Sequence, residues 1–279
     1  MKRSLLVWAS LALAAPAGAQ DMSPTAMGGC AVVPLLRAPV PAVEVTIGGK
    51  GPYRFVVDTG APGHGRISPK LAAELGLPKM GAAAEGPLFG VAEVSVGGVS
   101  FKNLDLVASQ GAVGEWDGSL GSALIELLPL TLDYGNARAR FGGTELAEGL
   151  PISFEDGVPI LPIDIAGQRF RVSFASGEAT GALFMDEDTA IGLPISGEPV
   201  PRAGNGAQGA EAALPVAVTV SGVPLTVRAV NWPSPRPRGL LGSRAMTGLS
   251  VTFDAAAQLG KVERSGLPPR CPTSPSGTN

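Results

Sequence analysis

The sequence predicts an all-β fold of two similar lobes packed about a pseudo-two-fold axis, with one short helix in each, and two observations carry that prediction. The first is an internal repeat. The stretches "DGSLGSALIELLPLTLDYGNARARF" (117–141) and "RGLLGSRAMTGLSVTFDAAAQLGKV" (238–262) both set Gly-x-Leu-Gly-Ser before a short apolar segment, a strand ending in Asp, a turn and another strand. Gly118 and Gly239, Gly121 and Gly242, and Asp133 and Asp254 are each 121 residues apart (239−118, 242−121, 254−133), so the match needs no gap. The second observation is local: short runs rich in Val, Ile and Phe alternate with Gly turns throughout both copies, the pattern of a β protein. Two copies of roughly a hundred residues, the ordinary size of one lobe, make a pair rather than a solenoid.

The chain opens on Lys2 and Arg3, an apolar run from Leu5 to Ala15, and the small-x-small ending Ala17-Gly18-Ala19. That is a secretory signal peptide over 1–19, cut before Gln20. The run is shorter than the roughly 20 apolar residues that span a membrane, and no later stretch reaches that length. Export to the periplasm or beyond is therefore expected, and the Ala/Gly/Pro-rich composition suits a bacterial source. Cleavage leaves 260 residues (279−19) and takes the net charge from −3 to −5, since Lys2 and Arg3 are lost. A chain without a basic patch is a poor nucleic-acid binder. Residues 20–35 form an N-terminal extension, either a pro-segment or a tether.

Cys30 and Cys271 stand near the two ends of the mature chain. In an oxidising compartment they pair as one disulfide, the alternative being two free thiols. His64 is the single histidine, so no metal centre of ordinary ligands is expected.

The first lobe is placed at 36–142. Within it "VPAVEVTIGGKGPYRFVVDTGAPGHGRISPKLAAELGLP" (40–78) reads as strand, Gly turn, strand, loop and short helix, with Ser68 as helix cap, Pro69 in the first turn and Gly76 as the stop. A linker over 143–158 follows, then a second lobe at 159–264 and a tail at 265–279. "VPILPIDIAGQRFRVSFASGEATGALFMDEDTAIGLP" (158–194) parallels the first copy, with Asp186 and Gly192 as cap and stop of its helix. Each copy then has a glycine-rich stretch and a further strand: "GPLFGVAEVSVGGVSF" (86–101) in one and "GNGAQGAEAALPVAVTVSGVPLTV" (204–227) in the other. No helix follows "GNGAQG", so it is a loop and not a dinucleotide fingerprint.

Asp58, set between a Phe-Val-Val run and Thr-Gly, is either a turn residue or half of a carboxylate pair. The run Phe55-Val56-Val57-Asp58-Thr59-Gly60-Ala61, with a helix behind it and Gly118-Ser119-Leu120-Gly121 later, resembles the retropepsin-like aspartic proteases. The resemblance is good over Leu36–Phe141 and weaker over Pro159–Val262. It implies an exported aspartic endopeptidase without cofactor, acting on a peptide or protein substrate through a carboxylate-activated water. Asp58 would be catalytic with Thr59 and Gly60 in support, Ala61, Gly86, Phe89 and Gly90 would touch substrate, and 81–90 would be a flap. Such enzymes hold two carboxylates about 3 Å apart that share one proton.

The second copy departs from that pattern. Aligned on glycine, Asp58-Thr59-Gly60-Ala61 becomes Ala175-Ser176-Gly177-Glu178, a degenerate site with alanine at the catalytic position. Three readings follow. The chain dimerises so that two Asp58 residues meet, although its own second copy occupies that interface; Glu178, directly after Gly177 at the position of Ala61, supplies the second acid; or the two-lobed monomer is a pseudoprotease that binds a peptide or protein without cutting it. An exported adhesion or carbohydrate-binding module is a further class, disfavoured by an aromatic content of 5%. His64 reads as a solvent-facing loop residue, Trp116 and Trp232 as packing residues in the core or between the lobes, and Asp133 and Asp254 as turn formers.

Overall fold

The structure is a computed structural model that describes residues 23–36, 40–109, 115–143, 145–165, 167–179, 182–185, 200–201, 210–213, 218–225, 227–231 and 239–272. The signal segment 1–19, the expected helix at 186–192, the glycine-rich segment 204–209, Trp232 and the end of the tail lie outside the described residues.

In the first lobe, β-branched and aromatic alternation builds strands that close on themselves. Ala42–Ile47 buries Val43, Val45 and Ile47 and leaves Glu44 outside, and it pairs antiparallel with Lys50–Val57. The order Val99–Ala108, Gly65–Ile67, Gly118–Leu120, Lys50–Val57, Ala42–Ile47, Gly86–Val96 returns to Val99–Ala108 through a second pairing, so six strands form a closed barrel. Phe55, Ile67, Phe101, Leu106 and Leu120 fill it. The helix Pro69–Leu75 is capped as its sequence dictates: Ser68 Oγ accepts from Leu71 N at 3.2 Å, and Gly76 ends it in the left-handed region with φ 64°. The lobe holds one further helical segment, Ala123–Leu127, from the apolar stretch behind Gly121-Ser122. Its counterpart in the second lobe is the 3₁₀ turn Ser243–Met246.

The second lobe repeats the central pairing. Phe55–Val57 runs parallel to Gly118–Leu120, and Val172–Ala175 runs parallel to Gly239–Gly242 in the corresponding register. Its core includes Ile163, Ile165, Val172, Phe174, Leu183 and Leu241, and Phe174 stacks obliquely on Phe253 with ring centres 5.5 Å apart.

A six-stranded sheet joins the lobes in the order Leu150–Pro151, Leu259–Arg264, Leu249–Asp254, Leu130–Asp133, Arg138–Gly142, Cys30–Pro34. At its centre Leu130–Asp133 pairs antiparallel with Leu249–Asp254, and Thr131 lies opposite Thr252 with hydroxyls 2.9 Å apart. These two residues are 121 positions apart, the period of the repeat, so each is the other's equivalent and the pseudo-two-fold axis passes between them. Asp133 and Asp254 are the turn formers expected of them. Asp133 Oδ1 accepts from Asn136 N and Asp254 Oδ1 from Ala257 N, both at 3.0 Å. The extension before the first lobe is built into the fold, with Thr25–Met27 paired to Ser100–Lys102 and Cys30–Pro34 to Arg138–Gly142. Cys30 and Cys271 form the expected disulfide across a sequence separation of 241, fastening the chain's end to this edge strand.

Candidate active site

The site sits where the two parallel pairings end. Val57 and Phe174 are buried at equivalent positions just ahead of Asp58 and Ala175, and the loops that follow grip each other. Thr59 N donates to Ser176 Oγ at 2.8 Å, and Ser176 N donates to Thr59 Oγ1 at 3.1 Å. Thr59 Oγ1 also donates to the Phe174 carbonyl at 2.7 Å, and Ser176 Oγ to the Val57 carbonyl at 2.5 Å. Thr59 and Ser176 are 1% and 0% exposed, so these four bonds are made away from water and match both hydroxyls and both amides of the grip. Serine performs in the second lobe what threonine performs in the first.

Around this grip the loops obey the same pseudo-symmetry. Ala61 N donates to the Asp58 carbonyl at 3.2 Å and Glu178 N to the Ala175 carbonyl at 3.1 Å. Ser122 N meets the Ala61 carbonyl at 2.8 Å, and Ser243 N meets the Glu178 carbonyl at 2.9 Å. Position 175 is thus the partner of position 58. A Cβ placed on Gly60 would stand 2.5 Å from that of Ala175, and one on Gly177 would strike the Asp58 carboxyl. Both glycines are required for the close approach of the loops.

The consequence falls on Asp58. Its Oδ1 accepts from Gly60 N at 3.0 Å and from Gly177 N at 3.3 Å, so the second lobe's amide turns to the one carboxyl that is present. Burial pushes the Asp58 carboxyl above the usual carboxylate range; the Gly60 amide, the Arg66 charge and the amides of Gly177 and Ala61 oppose this without cancelling it. With its folded pKa raised, Asp58 favours the fold while protonated, and that contribution is lost as pH rises through the raised value. Asp58→Asn is therefore expected to melt with the parent at about pH 3 and above it at neutral pH. Thermal melts across that range check this.

Tyr134 is buried, and its hydroxyl has no hydrogen-bond partner among the described residues. Burial, and then the Asp58 charge, push its phenol upward. Because the unmatched hydroxyl has already lost its water, Tyr134→Phe is expected to leave stability unchanged or raise it by about 1 kcal/mol. A denaturant titration reads the difference.

The other expected site residues are dispersed. Ala61 is buried in the loop. The hairpin Lys79–Ala83 with Gly86–Val96 turns at Ala84 and Glu85, within the 81–90 stretch, and Gly86 directly follows its tip. Phe89 pairs with Leu106 and packs against the barrel core, and Gly90 pairs with Asp105. Glu178 is half-buried at the position equivalent to Ala61. His64, expected to face solvent, is half-buried and paired through Nδ1 with the Asp105 carboxylate and amide. Trp116 lies beneath the Arg54 guanidinium, 5.7 Å away, on the outside of the first lobe. Among the described residues no cluster of metal-ligating side chains occurs, and no helix is long and apolar enough to cross a membrane.

Arg66 was missed from the sequence. The signal for it was a charged residue between two positions, Gly65 and Ile67, that belong to a buried strand.

A closed six-stranded barrel, an Asp-Thr-Gly loop at the end of a parallel strand pair, and a threonine grip to a pseudo-symmetric loop define an acid-protease lobe. The family model for aspartyl proteases matches residues 43–124, the stretch that contains the Asp-Thr-Gly loop and nearly all of the barrel. Over that stretch the first lobe is similar to the retropepsin-like aspartyl proteases. A comparison with curated proteins finds no match.

Proposed function

We propose that this chain is an exported pseudoprotease whose lobes, 36–142 and 159–264, hold an extended peptide between them without cutting it. One observation carries the reading: the position opposite Asp58 is a methyl group, Ala175, while both loop amides are directed to the single carboxyl. A lone carboxyl has no partner with which to share a proton, and activation of water by a dyad needs that partner. Homodimerisation through the first lobe is not a remedy, because the second lobe's Ser176 already takes the grip that another Thr59 would need. The Asp58 carboxyl, held by both loop amides, is placed instead to hydrogen-bond a bound peptide. The Cys30–Cys271 bond supports export, since disulfides persist in oxidising compartments.

A fluorescein-labelled decapeptide pool tests the reading. Saturable binding near neutral pH is expected, weakened about tenfold by Asp58→Ala, a loss of about 1.4 kcal/mol. Absence of binding refutes it.

A second reading has a specific support. Glu178 directly follows Gly177, and its carbonyl is fixed by Ser243 N at 2.9 Å and Ser243 Oγ at 3.0 Å, which anchors a longer acid beside the site. In that case Glu178 is the second acid of a working peptidase. Peptide fragments that disappear with both Asp58→Ala and Glu178→Gln would establish it.

A further inference from the structure

Arg66 is used by neither the grip nor the barrel core. It stands on Gly65–Ile67, the strand that continues the Asp58 loop, between Val99–Ala108 and Gly118–Leu120. Its side chain is 13% exposed, and a guanidinium so far removed from water needs a carboxylate. The carboxylate comes from the hairpin tip: Nε donates to one oxygen of Glu85 at 2.8 Å and an Nη to the other at 3.0 Å, a two-pronged bond of the strongest protein type. Glu85 itself is 51% exposed. It follows a strand, Lys79–Ala83, that is exposed along its whole length and forms the outer end of its sheet. That carboxylate can leave Arg66 without opening the barrel. The strand is tied to the site by its pairing: Leu120, whose carbonyl accepts from Asp58 N at 2.8 Å, lies opposite Gly65, the residue before Arg66.

We propose that Arg66 is an anion subsite beside Asp58, that Glu85 fills it in the resting protein as an internal ligand, and that a peptide bearing a Glu or Asp side chain binds by displacing Glu85 and freeing the hairpin tip. This deepens the peptide-binding reading and, for its peptide ligand, rests on it. Exchange conserves charge: one carboxylate leaves the guanidinium as another arrives. The fork geometry favours a planar carboxylate over the neutral amide of Gln or Asn.

Two measurements on the full chain separate the parts. In the first, hydrogen exchange of the amides at 80–86 is followed with N-acetylglutamate amide or its glutamine analogue. The glutamate compound is expected to raise exchange several-fold and the glutamine compound not at all, and Glu85→Gln is expected to show the raised exchange with nothing added. In the second, decapeptide pools with a fixed central Glu or Gln are compared. The Glu pool is expected to bind at least about tenfold tighter, with parity in Arg66→Met and a further gain for the Glu pool in Glu85→Gln. Exchange indifferent to the glutamate compound, or equal binding of the two pools, overturns the subsite. If neither pool binds, the peptide-binding reading falls, while the exchange experiment still decides the subsite. Glu85 is a surface position, so its variant keeps the test decisive if Arg66→Met fails to fold.

Discussion

Ala175→Asp is expected to give the cleft peptidase activity with an acidic optimum. By the pseudo-symmetry of the loops, a carboxyl at 175 would lie over Gly60 as that of Asp58 lies over Gly177, and both positions are glycine. The Gly177 amide, now 3.3 Å from Asp58 Oδ1, would be available to the new acid. Two carboxyls in such contact cannot both ionise readily, so they titrate as a pair with one apparent pKa raised and one lowered. The singly protonated pair is the state that activates water, and it exists only between those two values. The expected profile is bell-shaped and centred below neutral, and Asp58→Asn in the same background abolishes it. Hydrolysis of a quenched peptide pool as a function of pH reads this directly. Ala175→Asp also introduces a buried acid, so the variant is expected to be less stable than the parent at neutral pH and to recover on acidification.

Thr59→Ala is expected to be the most damaging single change to stability at the site. It removes the hydroxyl that donates to the Phe174 carbonyl at 2.7 Å and accepts from Ser176 N at 3.1 Å, leaving two buried backbone groups of the other lobe unmatched. Each such group costs about 1–3 kcal/mol, so a loss of about 3 kcal/mol is expected. In a chain of this size that lowers Tm by about 6–10 °C. Thr59→Ser keeps the hydroxyl and is expected to lose no more than about 1 kcal/mol, mainly packing of the missing methyl. Calorimetry on the pair separates the hydrogen bonds from the methyl group. Because the bonds cross between the lobes, Thr59→Ala is also expected to weaken peptide binding.

Much of this site was legible in the chain because its parts are local in sequence. The Asp-Thr-Gly-Ala run, the helix cap Ser68 with its stop Gly76, and the turn aspartates Asp133 and Asp254 each act within a few residues of themselves. The repeat carried further, since the equivalence of 58 with 175 predicts which loops meet and that alanine faces aspartate. What the chain withheld depends on long-range pairing. Thr59 was expected only to brace its own loop, yet its bonds reach a serine 117 residues away, and nothing in "ASGE" announces that serine as a grip. Gly177 donates its amide to Asp58, 119 residues away, a contact that no local pattern announces. His64 looked solvent-facing because Asp105, its partner, stands 41 residues on in a different strand. Arg66 and Glu85 meet only after the hairpin folds back over the strand next to the site. The edge strands at 25–34 were read as an extension because such short segments gain their structure from the sheets they join and not from their own pattern.

The central claim is that one carboxyl stands where a dyad would be needed, so peptide is held and not cut. Mass spectrometry of a denatured-protein digest, incubated with the full chain from about pH 3 to pH 7 beside the Ala175→Asp variant, tests it most directly. Peptides recovered intact from the parent and cut by Ala175→Asp are the predicted result. Fragments from the parent that vanish with Asp58→Ala would contradict the claim, and their further loss with Glu178→Gln would name the second acid.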